Sequence, residues 1–219
     1  VGSFGDVGCF SFFPTKNLGA AGDGGAITTN DFEISKTIRE LAIHGMPKRY
    51  LHTNIGYNSR LDSLQAAILN IKLPRLNQWI NQRKEIANKY INRLSGIEGI
   101  KLPSTGVTNN IGHSWNQFAI RILDNSFVKN KKDNSDSCSD IQNRDLFKTE
   151  LQRLGVNTII YYPIPIHLQP AYKDLGYKEG SFPVTEKVCK QVISLPIFPE
   201  LESIQQSYVI DAIKRIYNQ

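Results

Sequence analysis

The sequence predicts an α/β chain built in two parts, and three features point there. Short apolar, β-branched runs flank a glycine-rich turn within the first thirty residues. Apolar residues at helical spacing then dominate to about Leu94, the pattern of helices with one buried face. Beyond a Gly/Thr/Asn linker, strand-like and helical patterns resume on a smaller scale.

Residues 7–13 read as a mostly apolar strand, interrupted by Pro14-Thr15-Lys16-Asn17 and followed by the glycine run from Gly19 to Gly25. Ala26-Ile27-Thr28-Thr29 reads as a second strand. Asn30 or Asp31 is placed to cap a helix reaching about Ile43, with Ile34, Ile38 and Leu41 on its apolar face. His44-Gly45-Met46-Pro47 ends it. After a polar loop over 48–59, Asp62 or Ser63 opens a helix carrying Leu64, Ala67, Ile68 and Ile71, which Pro74 interrupts. A long amphipathic helix over 76–94 turns Trp79, Ile80, Ile86, Tyr90, Ile91 and Leu94 inward. The expected domains are therefore 1–100 and 101–219. In the second, 115–122 and 156–162 read as strands, and 144–154, 185–194 and 203–217 as helices. Residues 124–142, rich in Asn, Asp, Ser and Lys, are expected to form a flexible surface loop, having little apolar surface to offset ordering.

Composition narrows the function. With 219 residues, 40% hydrophobic and 21% charged, the chain is neither collagen-like, coiled-coil nor mostly disordered. No apolar run of about 18 residues is present, so no membrane span is expected. The net charge of +6 is scattered, without the basic stripe and aromatics of a nucleic-acid surface. Cys9, Cys138 and Cys189 form no C-x-x-C pair, and His44, His52, His113 and His167 lack ligand spacing. Neither a metal site nor a disulfide framework is expected, and a cytoplasmic setting is the default. The single methionine is Met46 and the chain opens at Val1, so it is expected either to have lost a leader or to belong to a longer product.

Lys16 is the first chemical candidate. A lysine at the end of a buried strand is expected to be desolvated, and a desolvated amine is readier to attack a carbonyl and form a Schiff base. Ser11 and the glycine-rich backbone offer hydroxyl and N–H donors to a phosphate. Taken alone, Lys16 is an ordinary turn lysine. The glycine run matches neither G-x-x-x-x-G-K-[ST] nor a G-x-G-x-x-G turn between strand and helix.

The combination is more specific than its parts. Gly5-Asp6-Val7-Gly8-Cys9-Phe10-Ser11-Phe12-Phe13-Pro14-Thr15-Lys16-Asn17-Leu18-Gly19 leads into Gly22-Asp23-Gly24-Gly25-Ala26 and Thr29-Asn30-Asp31. A second block holds His44-Gly45, Arg49-Tyr50, Gly56-Tyr57-Asn58-Ser59-Arg60-Leu61-Asp62 and Gln65-Ala66-Ala67. A third runs from Tyr161-Tyr162-Pro163 through Pro165-Ile166-His167 to Pro170-Ala171-Tyr172, and Ser194-Leu195-Pro196-Ile197-Phe198-Pro199 closes the set. In this order the blocks resemble the DegT/DnrJ/EryC1/StrS family of pyridoxal-phosphate-dependent sugar aminotransferases.

That resemblance implies a fold-type I, aspartate-aminotransferase-like α/β protein. Residues 1–100 would be the end of its large coenzyme-binding domain, and 101–219 its small α+β domain. The coenzyme would be pyridoxal 5'-phosphate, held as a Schiff base by Lys16, which would also move the proton between coenzyme and substrate carbons. Having Lys rather than His there argues against the family's dehydratase branch. Ser11 would bind the coenzyme phosphate, and Asn58 would reach that phosphate from the neighbouring subunit of a homodimer. Arg60 would lie near substrate, with Tyr161 and His167 beside the sugar-nucleotide pocket. Tyr161 stands where many members carry His; a phenol donates a hydrogen bond but is not cationic near neutral pH. The implied reaction moves an amino group from an amino acid, usually glutamate, to a nucleotide-linked keto sugar in polysaccharide biosynthesis.

The resemblance also implies a preceding half that supplies the ring-stacking group and the acid on the pyridine nitrogen. No residue of this sequence is assigned that work. Two other readings stay open: a catalytically silent fragment of such an enzyme, and a basic nucleic-acid-binding module.

Overall fold

The computed structural model describes residues 2–104, 112–123 and 143–217. The expected loop over 124–142 and most of the linker therefore lie outside the described residues. The chain divides into two compact units, Val1–Gln78 and Trp79–Gln219.

The first unit opens with strands β1 (Gly8–Ser11) and β2 (Gly25–Thr28), paired antiparallel with Gly8 opposite Thr28 and Ser11 opposite Gly25. Helix α1 (Phe32–Ala42) follows, capped by Asp31, whose Oδ1 accepts the Ile34 N–H at 2.9 Å. Such a cap satisfies one of the amides that a helix start leaves unpaired. Helix α2 (Ser63–Lys72) ends where Pro74 removes an N–H from the ladder, and a 3-10 turn over Leu73–Arg75 leads onward. Among the described hydrophobic residues of this unit, only Ala20 and Leu69 are buried, whereas Phe4 is 97% and Ile55 98% exposed.

The second unit contains nearly all of helix α3 (Leu76–Leu94), and its core explains why. Ile86, Ala87, Tyr90 and Leu94 recur at helical spacing and pack into the C-terminal cluster. The compact units thus part within α3, whereas the sequence reading draws the line at residue 100. Strands β3 (Ile100–Lys101), β4 (Phe118–Ile122) and β5 (Val192–Leu195) form an antiparallel sheet with β4 central. Helix α4 (Asn143–Arg153) packs on β4 and β5 with Phe147 and Leu151 fully buried. Helix α5 (Pro183–Gln191) precedes β5, and α6 (Ser203–Tyr217) adds Val209, Ile210, Ile213 and Ile216 to the core. Burying each such side chain stabilises the unit by about 1.5–3 kcal/mol.

Two expectations are corrected here. Residues 185–194 do not form one helix: the helix stops at Gln191, and Val192–Leu195 is a fully buried strand paired with β4. A short apolar run of this kind reads equally as buried helix or strand until its neighbours are known. Residues 156–162 form no strand; Ile159 alone bridges Ser194, giving and receiving one backbone bond. Pro163 and Pro165, lacking N–H groups, oppose extension of that ladder.

Candidate active site

Lys16 sits at the tip of the connection between β1 and β2. Phe12 fastens that connection twice: its N–H donates to Gly24 O at 2.8 Å and its carbonyl accepts from Ala20 N–H at 2.8 Å. Within the enclosed turn the Lys16 N–H donates to Phe13 O at 2.9 Å, and the Phe13 N–H to Ser11 Oγ at 3.3 Å. Helix α2 holds the returning arm, as Gln65 Oε1 accepts the Ala21 N–H at 2.9 Å and the Lys72 ammonium donates to the Gly19 carbonyl. The desolvation expected for Lys16 is not found. The residue is exposed, and among the described residues β1 pairs with β2 alone. No hydrogen-bond or ion partner of its Nζ lies among the described residues.

Asn58 and Arg60 lie on a second ordered segment of the same unit. The His44 N–H donates to Tyr57 O at 2.8 Å, the Tyr57 N–H to Leu41 O at 2.7 Å, and the Ser59 N–H to Ala42 O at 3.0 Å. Ile43 and Asn58 form an antiparallel bridge. Gly45 makes the sharp exit from α1 possible: its φ is +68°, and any Cβ there would collide with the Asn54 carbonyl. Arg60 Nη2 donates to Asn58 Oδ1 at 3.1 Å, and both side chains are exposed. With its oxygen so engaged, Asn58 has its amide NH₂ to offer a ligand.

Tyr161 and His167 belong to the other unit. Tyr161 is half-buried with its ring edge-on to Tyr162, centroids 5.5 Å apart. His167 lies on a 3-10 turn over Ile166–Leu168, and a second such turn spans Pro170–Leu175. Its ring lines a cavity of about 390 Å³ shared with Ile166, Tyr172, Leu175, Tyr177 and Phe182. His167 Nε2 stands 3.0 Å from Glu186 Oε1, a residue that the sequence motifs did not single out. The Glu186 carboxylate also accepts from the N–H groups of Gly180, at 3.0 and 2.9 Å, and Phe182, at 3.1 Å. The Gly180 bond above all, then those from Phe182 and His167, hold it below the usual carboxylate range against the opposing effect of burial. A Glu at the fourth position of a helix opened by Pro183 was its only sequence signal.

The residues of the Lys16 turn fit pyridoxal phosphate in chemical type: a primary amine for the aldehyde, without a partner among the described residues, and the Ser11 hydroxyl for the phosphate lie on one ordered connection. Among the described residues no cluster of three or more His, Cys, Asp or Glu side chains stands ready for a metal. No described helix is long and apolar enough to cross a membrane.

The DegT/DnrJ/EryC1/StrS aminotransferase family profile matches residues 1–214. The chain belongs to that family. It is 41% identical over 217 residues to the "Pleiotropic regulatory protein" of Geobacillus stearothermophilus, covering 99% of this chain and 53% of that protein. It is 38% identical over 214 residues to the dTDP-3-amino-3,4,6-trideoxy-alpha-D-glucose transaminase of Streptomyces venezuelae, covering 98% of this chain and 51% of the other. In three dimensions it superposes on the crystal structure of S. venezuelae DesV in complex with ketimine intermediate with a TM-score of 0.84 and 38% identity. That match covers 100% of this chain and 53% of the other. The chain thus spans about half the length of the relatives it matches. The fold of these DegT-type enzymes is the α/β fold of pyridoxal-phosphate-dependent aminotransferases.

Proposed function

We propose that this chain carries the lysine half of a sugar aminotransferase that moves an amino group from an amino acid, with glutamate the expected donor, to a nucleotide-linked keto sugar. The observation that carries this reading is Lys16, whose amine has no partner among the described residues and stands on a turn pinned by Phe12 on one side and by Gln65 and Lys72 on the other. When bound, pyridoxal phosphate supplies an electron sink for breaking a C–H bond beside nitrogen. Lys16 Nζ would hold that group covalently and would carry the proton between the coenzyme and substrate carbons. Ser11 Oγ would donate to its phosphate. The Asn58 NH₂, with Oδ1 already taken by Arg60, donates to a phosphate oxygen in the neighbouring subunit of a homodimer. Arg60 would lie close to the substrate, and Tyr161 and His167 beside the sugar-nucleotide pocket.

Residues 1–100 belong, in this reading, to the coenzyme domain and 101–219 to the small domain. The many exposed apolar side chains of the first unit, Phe4, Phe32, Leu64 and Ile71 among them, support cover by the remaining half of the protein. They equally favour the second reading, in which residues 1–219 alone are a catalytically silent fragment. Borohydride reduction of the full-length protein loaded with pyridoxal phosphate, followed by peptide mapping, tests the first. The label falls on Lys16, and Lys16→Ala abolishes it; a label elsewhere, or none, removes the proposal. Coenzyme absorbance of residues 1–219 alone separates the readings, because tight binding excludes the silent fragment.

A further inference from the structure

We propose that Glu186 is a positioning residue: it accepts the Nε2 proton of His167, fixes the ring in one tautomer, and leaves Nδ1 to meet an oxygen of the nucleotide-linked sugar. This deepens the proposed function and rests on it for the identity of the ligand.

The geometry is specific. Both partners are nearly enclosed, with side-chain exposures of 8% for His167 and 9% for Glu186. Two backbone N–H groups point at the carboxylate, Gly180 onto both oxygens and Phe182 onto Oε1. A carboxylate so surrounded is an acceptor, and the ring nitrogen facing it must be the donor. Nε2 therefore carries the hydrogen. The His167 ring packs edge-on against Phe182, with centroids 4.8 Å apart, and more loosely against Tyr177 at 6.4 Å. A ring flip would place a carbon against the carboxylate in the middle of this aromatic packing.

A carboxylate that only closed the start of α5 would need no more than the amides just ahead of that helix. Glu186 instead reaches a histidine 19 residues earlier, on the turn that walls the cavity. The ring nitrogen left over is Nδ1, an acceptor for a hydroxyl in the neutral ring and a donor to a phosphate oxygen in the imidazolium.

The test uses the full-length enzyme labelled with ¹⁵N-histidine, with His167→Gln to assign the signal. Long-range ¹H–¹⁵N spectra of the wild type should show His167 protonated at Nε2. Glu186→Gln, close in shape, should shift that signal and raise KM for the keto-sugar half-reaction about tenfold. The amino-donor half-reaction should stay within about twofold, as expected for a group that touches only the sugar side. An Nδ1–H tautomer in the wild type overturns the proposal. So does a Glu186→Gln enzyme whose His167 signal is unmoved, or whose signal moves while both half-reactions stay unchanged. Should Glu186→Gln lower the melting temperature, the wild-type tautomer and Glu186→Asp, expected to recover part of the sugar affinity, still decide the matter. A wild-type enzyme without amino-sugar activity defeats the functional reading instead, and the spectrum then judges the Glu186–His167 arrangement by itself.

Discussion

Gln65, on the first turn of α2, accepts the Ala21 N–H through its Oε1 at 2.9 Å, so a helix 44 residues away in sequence holds the arm behind Lys16. Gln65→Leu keeps the bulk and deletes the acceptor. Ala21 is exposed, so water replaces the lost bond and the cost is at most about 1 kcal/mol. The effect is local: the Ala21 amide should exchange hydrogen several-fold faster in the full-length protein while the core amides of α6 stay unchanged. Equal exchange at Ala21 in both proteins would show that the helix does not restrain the turn.

Gly45 and Gly96 share a left-handed backbone, with φ of +68° and +85°, but not their surroundings. A methyl at Gly45 meets the Asn54 carbonyl, whereas at Gly96 it meets nothing within 4 Å. Gly96→Ala should cost about 1 kcal/mol from backbone strain alone, and Gly45→Ala at least about 2 kcal/mol as the segment leading to Asn58 is displaced. Thermal unfolding of the two variants compares them, and coenzyme affinity should fall only for Gly45→Ala.

Arg83 is buried, and its Nη1 lies 3.2, 3.3 and 2.9 Å from the carbonyls of Trp115, Asn116 and Ile197. Two turns later, the Tyr90 hydroxyl donates to Pro196 O at 2.9 Å. One face of α3 thus pins the chain just after β5. Arg83→Met leaves the buried Trp115 carbonyl and two part-buried ones without their donor and should cost about 3 kcal/mol, against about 1 kcal/mol for Tyr90→Phe. Urea midpoints measure both, and equal costs would show that the guanidinium is not the principal tie.

Glu186 gives the second unit an acid limit. Its folded pKa is depressed, chiefly by the Gly180 N–H, below the ordinary 4.5 of the carboxyl. Its contribution to stability is therefore fully present above the unfolded value of 4.5 and is lost as pH falls through the lower folded value. In urea titrations between neutrality and strong acid, Glu186→Gln should flatten this part of the decline. An unchanged slope below the unfolded value would remove Glu186 as its source.

Much of the fold is legible in the sequence because periodicity is local. The bounds of α3 and α6 follow from apolar spacing, Asp31 marks the start of α1, and Pro74 marks the end of α2. The Lys16 turn is legible too, because Pro14 fixes its own φ and the glycine run admits turn conformations that other residues resist, whatever surrounds them. The Val192–Leu195 strand is not, since Val-Ile-Ser-Leu suits a buried helix or a buried strand, and only the bonds to β4 choose between them. Glu186 escaped for the same reason: its role depends on His167 and on the Gly180 and Phe182 amides, which folding gathers around it.

The sequence by itself determined most of the helices, the turn that presents Lys16 and, through four ordered blocks of residues, the family. These depend on side-chain type and spacing along a few turns of chain. Tertiary structure alone decided that α3 packs with the C-terminal core, that Lys16 is exposed in this chain, and that His167 faces Glu186. Each of those rests on burial and hydrogen bonding between segments far apart in sequence, which no local pattern encodes.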